Sequence, residues 1–313
     1  MRMLISACVL LWAGGGGIAA ESPFAGRWNL TGTGEHRDHV YWLEVREESG
    51  TLQGMFLHRG GSPAPLPHIA VENGELIFHV LGRDNQPGAE FRARMEDGRL
   101  VGRAKYPDRT VKWTGVRPPS WPPADANARH TYGPPVALFN GTSLDNWELQ
   151  HKDRASGWTV AGGVMVNEPK ANNLISRQKF KDFKIEAEYK LEKDSNSGIY
   201  LRGRYELQVL DDFGKPPESH GHMAIYAWTP PRVNASKAPG EWQALEATLV
   251  GNRITVTLNG QRVHDNAVLQ AITGGALDAD EEAPGPIMIQ GDHGRVWIRK
   301  LVLTPITAAG EKQ

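Results

Sequence analysis

The stretch SNSGIYLRGRYELQVLD, residues 195–211, alternates apolar and polar side chains in two-residue steps. With that period, Ile199, Leu201, Tyr205, Leu207 and Val209 point one way, and Tyr200, Arg202, Arg204, Glu206 and Gln208 the other. One face is then core. The other carries planar, directional hydrogen-bonding groups able to hold a polyol in a fixed pose, so a bound ligand stands beside plain solvent as its explanation. The same alternation runs through FKIEAEYKL (183–191), whose Lys184, Glu186, Glu188 and Lys190 face reads as solvated. NRITVTLNGQRV (252–263) carries a hairpin turn at Asn259 and Gly260, and GPIMIQ (285–290) and RVWIRKLVLTPI (295–306) read as further strands. No long helical periodicity occurs, so the fold class is all-β, two packed antiparallel sheets.

Outward from this region, the 313 residues suffice for two domains, and a formal charge of -1 gives no field that would gather nucleic acid or an anionic membrane. Residues 1–20, MRMLISACVLLWAGGGGIAA, read as a secretory signal peptide. The single cysteine, Cys8, lies inside it, so the mature chain is expected to have no disulfide, no membrane span and a periplasmic or secreted location. Residues 118–135 hold six prolines and read as an extended linker. It divides a block at 21–117 from one at 136–306, with 307–313 as a tail. In the first block EESGTLQG, VENGELIF and MEDGRLVG place Gly50, Gly74 and Gly98 24 residues apart, each closing a tight turn before a strand. That predicts a small antiparallel barrel or sandwich. Trp28, Trp42 and Trp113 either fill it or stack on sugar.

The second block resembles the 3-keto-disaccharide hydrolase domain family over residues 137–305, through LFNGTSLDNW, SNSGIYLRGRYELQVLD, AIY, APGEW, VTLNGQRVHDN and PGPIMIQGDHGRVWIRKLVL in the family's order and spacing. The resemblance implies a concanavalin-like jelly-roll sandwich. The first block is similar, more loosely, to the lipocalin-like accessory domains of some members. Two segments depart from the pattern: HGHMAIYAWTPP carries a His220 and His222 pair, and QGDHG holds an extra glycine beside Asp292 and His293.

The resemblance also implies glycoside substrates already oxidised to a ketone at C3. Their C2 proton is acidic because its loss gives an enolate, so a base can remove it, the C1 substituent can leave, and water can add back. Such a site needs a base of tuned pKa, donors around the C3 oxygen and an acid near the leaving group. Glu206 is the candidate base and His293, beside Asp292, the candidate acid. Tyr200, Arg202, Arg204, Gln208, Gln290 and Arg299 are candidate substrate-binding residues. Glu206 with either arginine also fits a structural ion pair, and His293 a turn cap. His220 and His222 share a strand face but lack the acidic neighbours of a metal site, so no metal or cofactor is expected, only a sugar partner. An ordinary glycosidase with paired carboxylates such as Glu186 and Glu188, and a non-catalytic lectin-like module, remain as alternatives.

Overall fold

In the computed structural model residues 22–82, 86–123 and 130–308 are described. The signal segment at 1–20 and the end of the tail lie outside them. Among the described residues the chain is built from strands, with the short 3-10 turn Gly34–His36 as its helical element.

The first block is a nine-stranded antiparallel meander in which Gly26–Gly32 pairs with both Val40–Glu48 and Thr110–Val116. Its two edges curl back together: Gly54 on the Thr51–Leu57 strand has no room for a Cβ, because Leu66 and Ile69 already pack there. The three equally spaced turns are two-residue hairpins. Ser49 and Gly50, Asn73 and Gly74, and Asp97 and Gly98 all have left-handed φ, near 50° and 75°, as a type I′ turn demands. Trp28 and Trp113 fill the barrel with Tyr41, Phe56, Phe78 and Phe91. Trp42 does neither of the things expected of it. It points outward into a small apolar cluster with Val40, Leu57, Ala271, Ile272 and Ala279, edge-on to Trp228 at 5.0 Å, where the barrel meets the second block.

The second block is the jelly-roll sandwich. Its larger sheet centres on Asp182–Leu191 and Val296–Ala308, and its smaller sheet runs in the order Trp147–Leu149, Leu174–Phe180, Gly285–Ile289, Asn196–Leu201, Tyr205–Leu210. Phe183, Ile185 and Tyr189 from one sheet and Ile199, Leu201, Leu207 and Ile289 from the other share the core. The solvated reading of the 184–190 face holds: Lys184 pairs with Glu246 at 2.7 Å, and Lys300 with Glu186 at 3.4 Å.

Two expectations are corrected. Residues 195–211 form a hairpin, not one strand, with Leu201 opposite Tyr205 and a three-residue turn of Arg202, Gly203 and Arg204 between them. Arg202 and Gly203 are left-handed there, φ 53° and 66°. An odd turn preserves the parity of the alternation, so Tyr200 comes to lie opposite Glu206 and Gly198 opposite Gln208. Part of the segment read as linker, His130–Tyr132, is a strand of the second block that pairs with the end of Val296–Ala308, so that block begins before residue 136.

Candidate active site

The outward face of the hairpin does not meet open solvent. It forms the floor of a cleft of about 320 Å³, lined by Asn196, Tyr200, Glu206, Gln208, Gln290, Asp292 and His293, with Tyr226, Gly274 and Gly275 and with Gly60 and Gly61 of the barrel. Alternation puts the hairpin residues on this face; the turn at Gly291 brings the Asp292 and His293 pair to its edge.

Glu206 is at the centre. It is 4% exposed, and an added Cβ on Gly198 across the hairpin would sit 2.3 Å from its Oε1, so only glycine leaves the carboxyl room. The Tyr200 hydroxyl lies 2.8 Å from Glu206 Oε2 and 2.9 Å from the Gly274 carbonyl. A phenol has one hydrogen and cannot donate fully to both. When Glu206 is protonated, the carboxyl can donate to Tyr200 while Tyr200 donates to Gly274. Burial pushes Glu206 up to about 8, with the Asp292 charge adding to the rise and the Tyr200 hydrogen bond and His293 opposing it. Burial, and next the neighbouring Glu206, push Tyr200 well above the ordinary tyrosine value, so it remains a neutral donor.

His293 stands at the edge with 48% of its side chain exposed. Its Nδ1–H donates to Asp292 Oδ1 at 2.7 Å, which raises its pKa against a smaller effect of burial. The loop is held from behind. Asn173 Oδ1 accepts the N–H of Gly291 at 2.7 Å, and Asn167 Nδ2 donates to the Gly294 carbonyl at 2.8 Å. The extra glycine, Gly291, is needed there, since a Cβ would strike the Asn172 carbonyl at 2.5 Å.

Among the described residues, the buried side-chain oxygens of Asn196 and Gln290 find no hydrogen-bond partner. Orphaned acceptors of this kind are rare in folded proteins, and in a cleft they suit the hydroxyl donors of a sugar. Arg202, Arg204 and Arg299 are not brought to the cleft. The turn carries the first two away from the floor. Arg202 donates to the Lys181 carbonyl and, at 2.7 Å, to Asp182 Oδ1, while Arg204 binds the Ala283 carbonyl at 2.9 Å and Asp278 at 2.5 Å. Arg299 pairs with Glu188 on the outer face of the larger sheet and lies over the Trp242 ring at 4.3 Å. The ion pair foreseen between Glu206 and Arg202 or Arg204 is not seen among the described residues; Arg202 pairs with Asp182 and Arg204 with Asp278 instead.

The two histidines that share a strand pattern diverge. His222 is buried, 2.8 Å from the Tyr189 hydroxyl, and burial pushes it down to about 4. His220 meets Ser62 of the barrel at 2.6 Å. Among the described residues no group of three His, Cys, Asp or Glu side chains converges on a metal site. Sequence reasoning missed Asn196, Gly198, Tyr226 and the glycine pairs at 60–61 and 274–275. Asn196 was legible on the alternation, two residues before Gly198; the glycine pairs gave no signal, because their role lies in backbone contact across the fold.

Against known proteins, a family model described as the 3-keto-alpha-glucoside-1,2-lyase-like domain matches residues 134–304. A 3-keto-disaccharide hydrolase of Bacteroides thetaiotaomicron is 24% identical over 164 residues, covering 41% of this chain and 57% of that protein, so the chain spans little more than half of its length. Among solved structures, a candidate glycosyl hydrolase from Parabacteroides distasonis aligns at a TM-score of 0.48 and 26% identity over 59% of this chain and 93% of its own. A non-specific endo-beta-1,3(4)-glucanase of family GH16 aligns at a TM-score of 0.38 and 8% identity over 60% and 94%. The matched segment takes in most of the sandwich and every sandwich residue of the cleft, and the chain belongs to the 3-keto-alpha-glucoside-1,2-lyase-like domain family.

Proposed function

We propose that this chain is an exported enzyme that cleaves the glycosidic bond of sugars carrying a ketone at C3. The observation that carries the reading is Glu206: a buried carboxyl with its pKa near 8, bonded to a neutral tyrosine, in a cleft whose other ionisable pair is Asp292 and His293. A base that must take a proton from carbon is most effective when its pKa lies near the working pH. Burial supplies that shift here.

In this reading ionised Glu206 takes the C2 proton, and the electron pair left on C2 delocalises onto the C3 oxygen. Amide N–H groups of Asn196, Gln208 and Gln290 are the available donors to that oxygen; the arginines, held elsewhere, are not. The enolate then collapses, the C1–O bond breaks with its electrons going to the leaving oxygen, and His293, charged through Asp292, protonates that oxygen. Addition of water returns a proton to C2 and places hydroxyl on C1. The net reaction is hydrolysis; release before hydration makes it a lyase.

The test is turnover of a 3-keto glycoside beside its unoxidised parent. Cleavage of the 3-keto form alone, lost in Glu206→Gln, is the expected outcome. Cleavage of the parent would replace this reading with an ordinary glycosidase using Glu206 and Asp292 as its carboxylates, and binding without cleavage would replace it with a lectin.

A further inference from the structure

The barrel is fastened to the sandwich through the groups that hold Glu206. Its 59–62 segment, which follows the Thr51–Leu57 strand, crosses to the second block, where the Arg59 carbonyl accepts the Gly275 N–H at 2.8 Å and the Ser62 hydroxyl meets His220 at 2.6 Å. The backbones press so closely that a Cβ on Gly274 would lie 2.3 Å from the Gly61 carbonyl oxygen. Gly274 in turn accepts from Tyr200, and Tyr200 reaches Glu206. An unbroken path of hydrogen bonds and backbone contact therefore runs from the barrel to the candidate base.

The root of this loop is braced. The Arg59 guanidinium holds Asp38 at 2.6 Å and His39 Nε2 at 3.1 Å; His39 Nδ1 meets the Tyr41 hydroxyl at 3.0 Å, and Tyr106 links Tyr41 to His58. This polar network, buried at His39 and Tyr41 and exposed at Arg59 and Asp38, ties down the strand end from which the loop departs. Beyond Arg59 the loop presents two residues with no side chain to the cleft, Gly60 and Gly61, both exposed.

Resting on the reading of this cleft as a sugar site, we propose that the 59–62 loop of the barrel is a specificity-determining wall of the cleft, in which bare backbone at Gly60 and Gly61 sets how bulky a glycoside can be. The barrel is then a working part of the site and not an appended module. A gap left by two glycines discriminates by steric exclusion, which grows with the size of the excluded group.

Gly60 makes the test clean. Its φ lies outside the left-handed region, and a Cβ there meets no atom within 4 Å, so the fold tolerates a side chain. Full-length wild type, Gly60→Ala and Gly60→Phe are titrated calorimetrically with methyl glucoside, phenyl glucoside, a disaccharide and a trisaccharide, each as parent and as its 3-keto form, and melting is recorded. The expected result is a loss of affinity that grows with both the side chain at position 60 and the glycoside, reaching about tenfold or more for Gly60→Phe with the largest. Melting temperatures should stay together. Affinities equal to wild type throughout, or one fractional loss for every glycoside, overturn the proposal. The catalytic reading is judged separately, by which form wild type turns over, and size dependence in whichever series binds still decides the wall. Failure of both series to bind wild type overturns both.

Discussion

At the scale of single residues, the site rests on one carboxyl kept out of water. Because Glu206 binds its proton more tightly folded than unfolded, the sign of its stability effect follows directly: below the unfolded pKa both states are protonated, and as pH rises from about 4.5 to about 8 the unfolded chain ionises first and is favoured. Stability is expected to fall across that window by on the order of a few kcal/mol, and Glu206→Gln to flatten the fall; parallel melting curves for both proteins from pH 5 to 8 check it. Turnover has the opposite dependence on this group. Activity should need Glu206 ionised, which favours higher pH, and His293 protonated, which the Asp292 contact prolongs to higher pH than in a free histidine. Asp292→Asn removes the contact that raises His293 and a charge that raises Glu206, so both limbs of the profile should move to lower pH. A pH–kcat/KM profile for that variant measures the shift, and unmoved limbs would remove the pair from the chemistry. Glu206, Asp292 and His293 were legible in the sequence as types and positions. The depth of Glu206 was not, because burial depends on the Tyr226, Gly274 and barrel segments folded over it.

At the scale of the element, the hairpin separates two roles within a few residues. Leu207 points into the sandwich core, and Leu207→Ala should cost about 2–5 kcal/mol of stability. Gln208, its neighbour, faces the cleft, and Gln208→Ala should lower melting less than Leu207→Ala does, through the Val209 N–H it leaves unpaired, while weakening glycoside binding, since a lost amide leaves sugar groups unpaired. Arg202 belongs with Leu207. Its guanidinium is buried against Asp182, and Arg202→Ala takes from that carboxylate its cation and leaves it the Gly251 N–H, for a loss of roughly 3 kcal/mol without a selective effect on affinity. Thermal melts and titrations of the three variants separate the cases; a Gln208→Ala protein that melts early but binds normally would reverse the faces. Alternation alone placed Tyr200, Glu206 and Gln208 on the right side. It failed at Arg202 and Arg204 because a period of two says nothing about where a strand stops, and here Gly203, left-handed with Leu277 against it, marks the turn.

At the scale of the molecule, the all-β architecture, the two blocks and the three glycine turns were readable from alternation and spacing, while the contact between blocks was not. Prolines at 118–135 suggested separation, yet Trp42 packs on Trp228, Asn29 Nδ2 donates to Glu281 at 2.7 Å, and Glu281 also accepts from the Tyr205 hydroxyl. A chain beginning near residue 130 would expose that apolar cluster and take from Glu281 its Asn29 partner. It is expected to melt lower and to aggregate more readily than the full chain, which scanning calorimetry with light scattering measures; a monomeric fragment of full stability would show the interface to be dispensable. The meander also sorts its connections: the turns at Gly50, Gly74 and Gly98 all lie at one end, and the 59–62 segment leaves from the other. The barrel thus has a handle and a working tip. A fluorescent or affinity peptide spliced between Asn73 and Gly74 sits a strand's length from the cleft, so the protein can be labelled, immobilised or fused there with its cleft end left free.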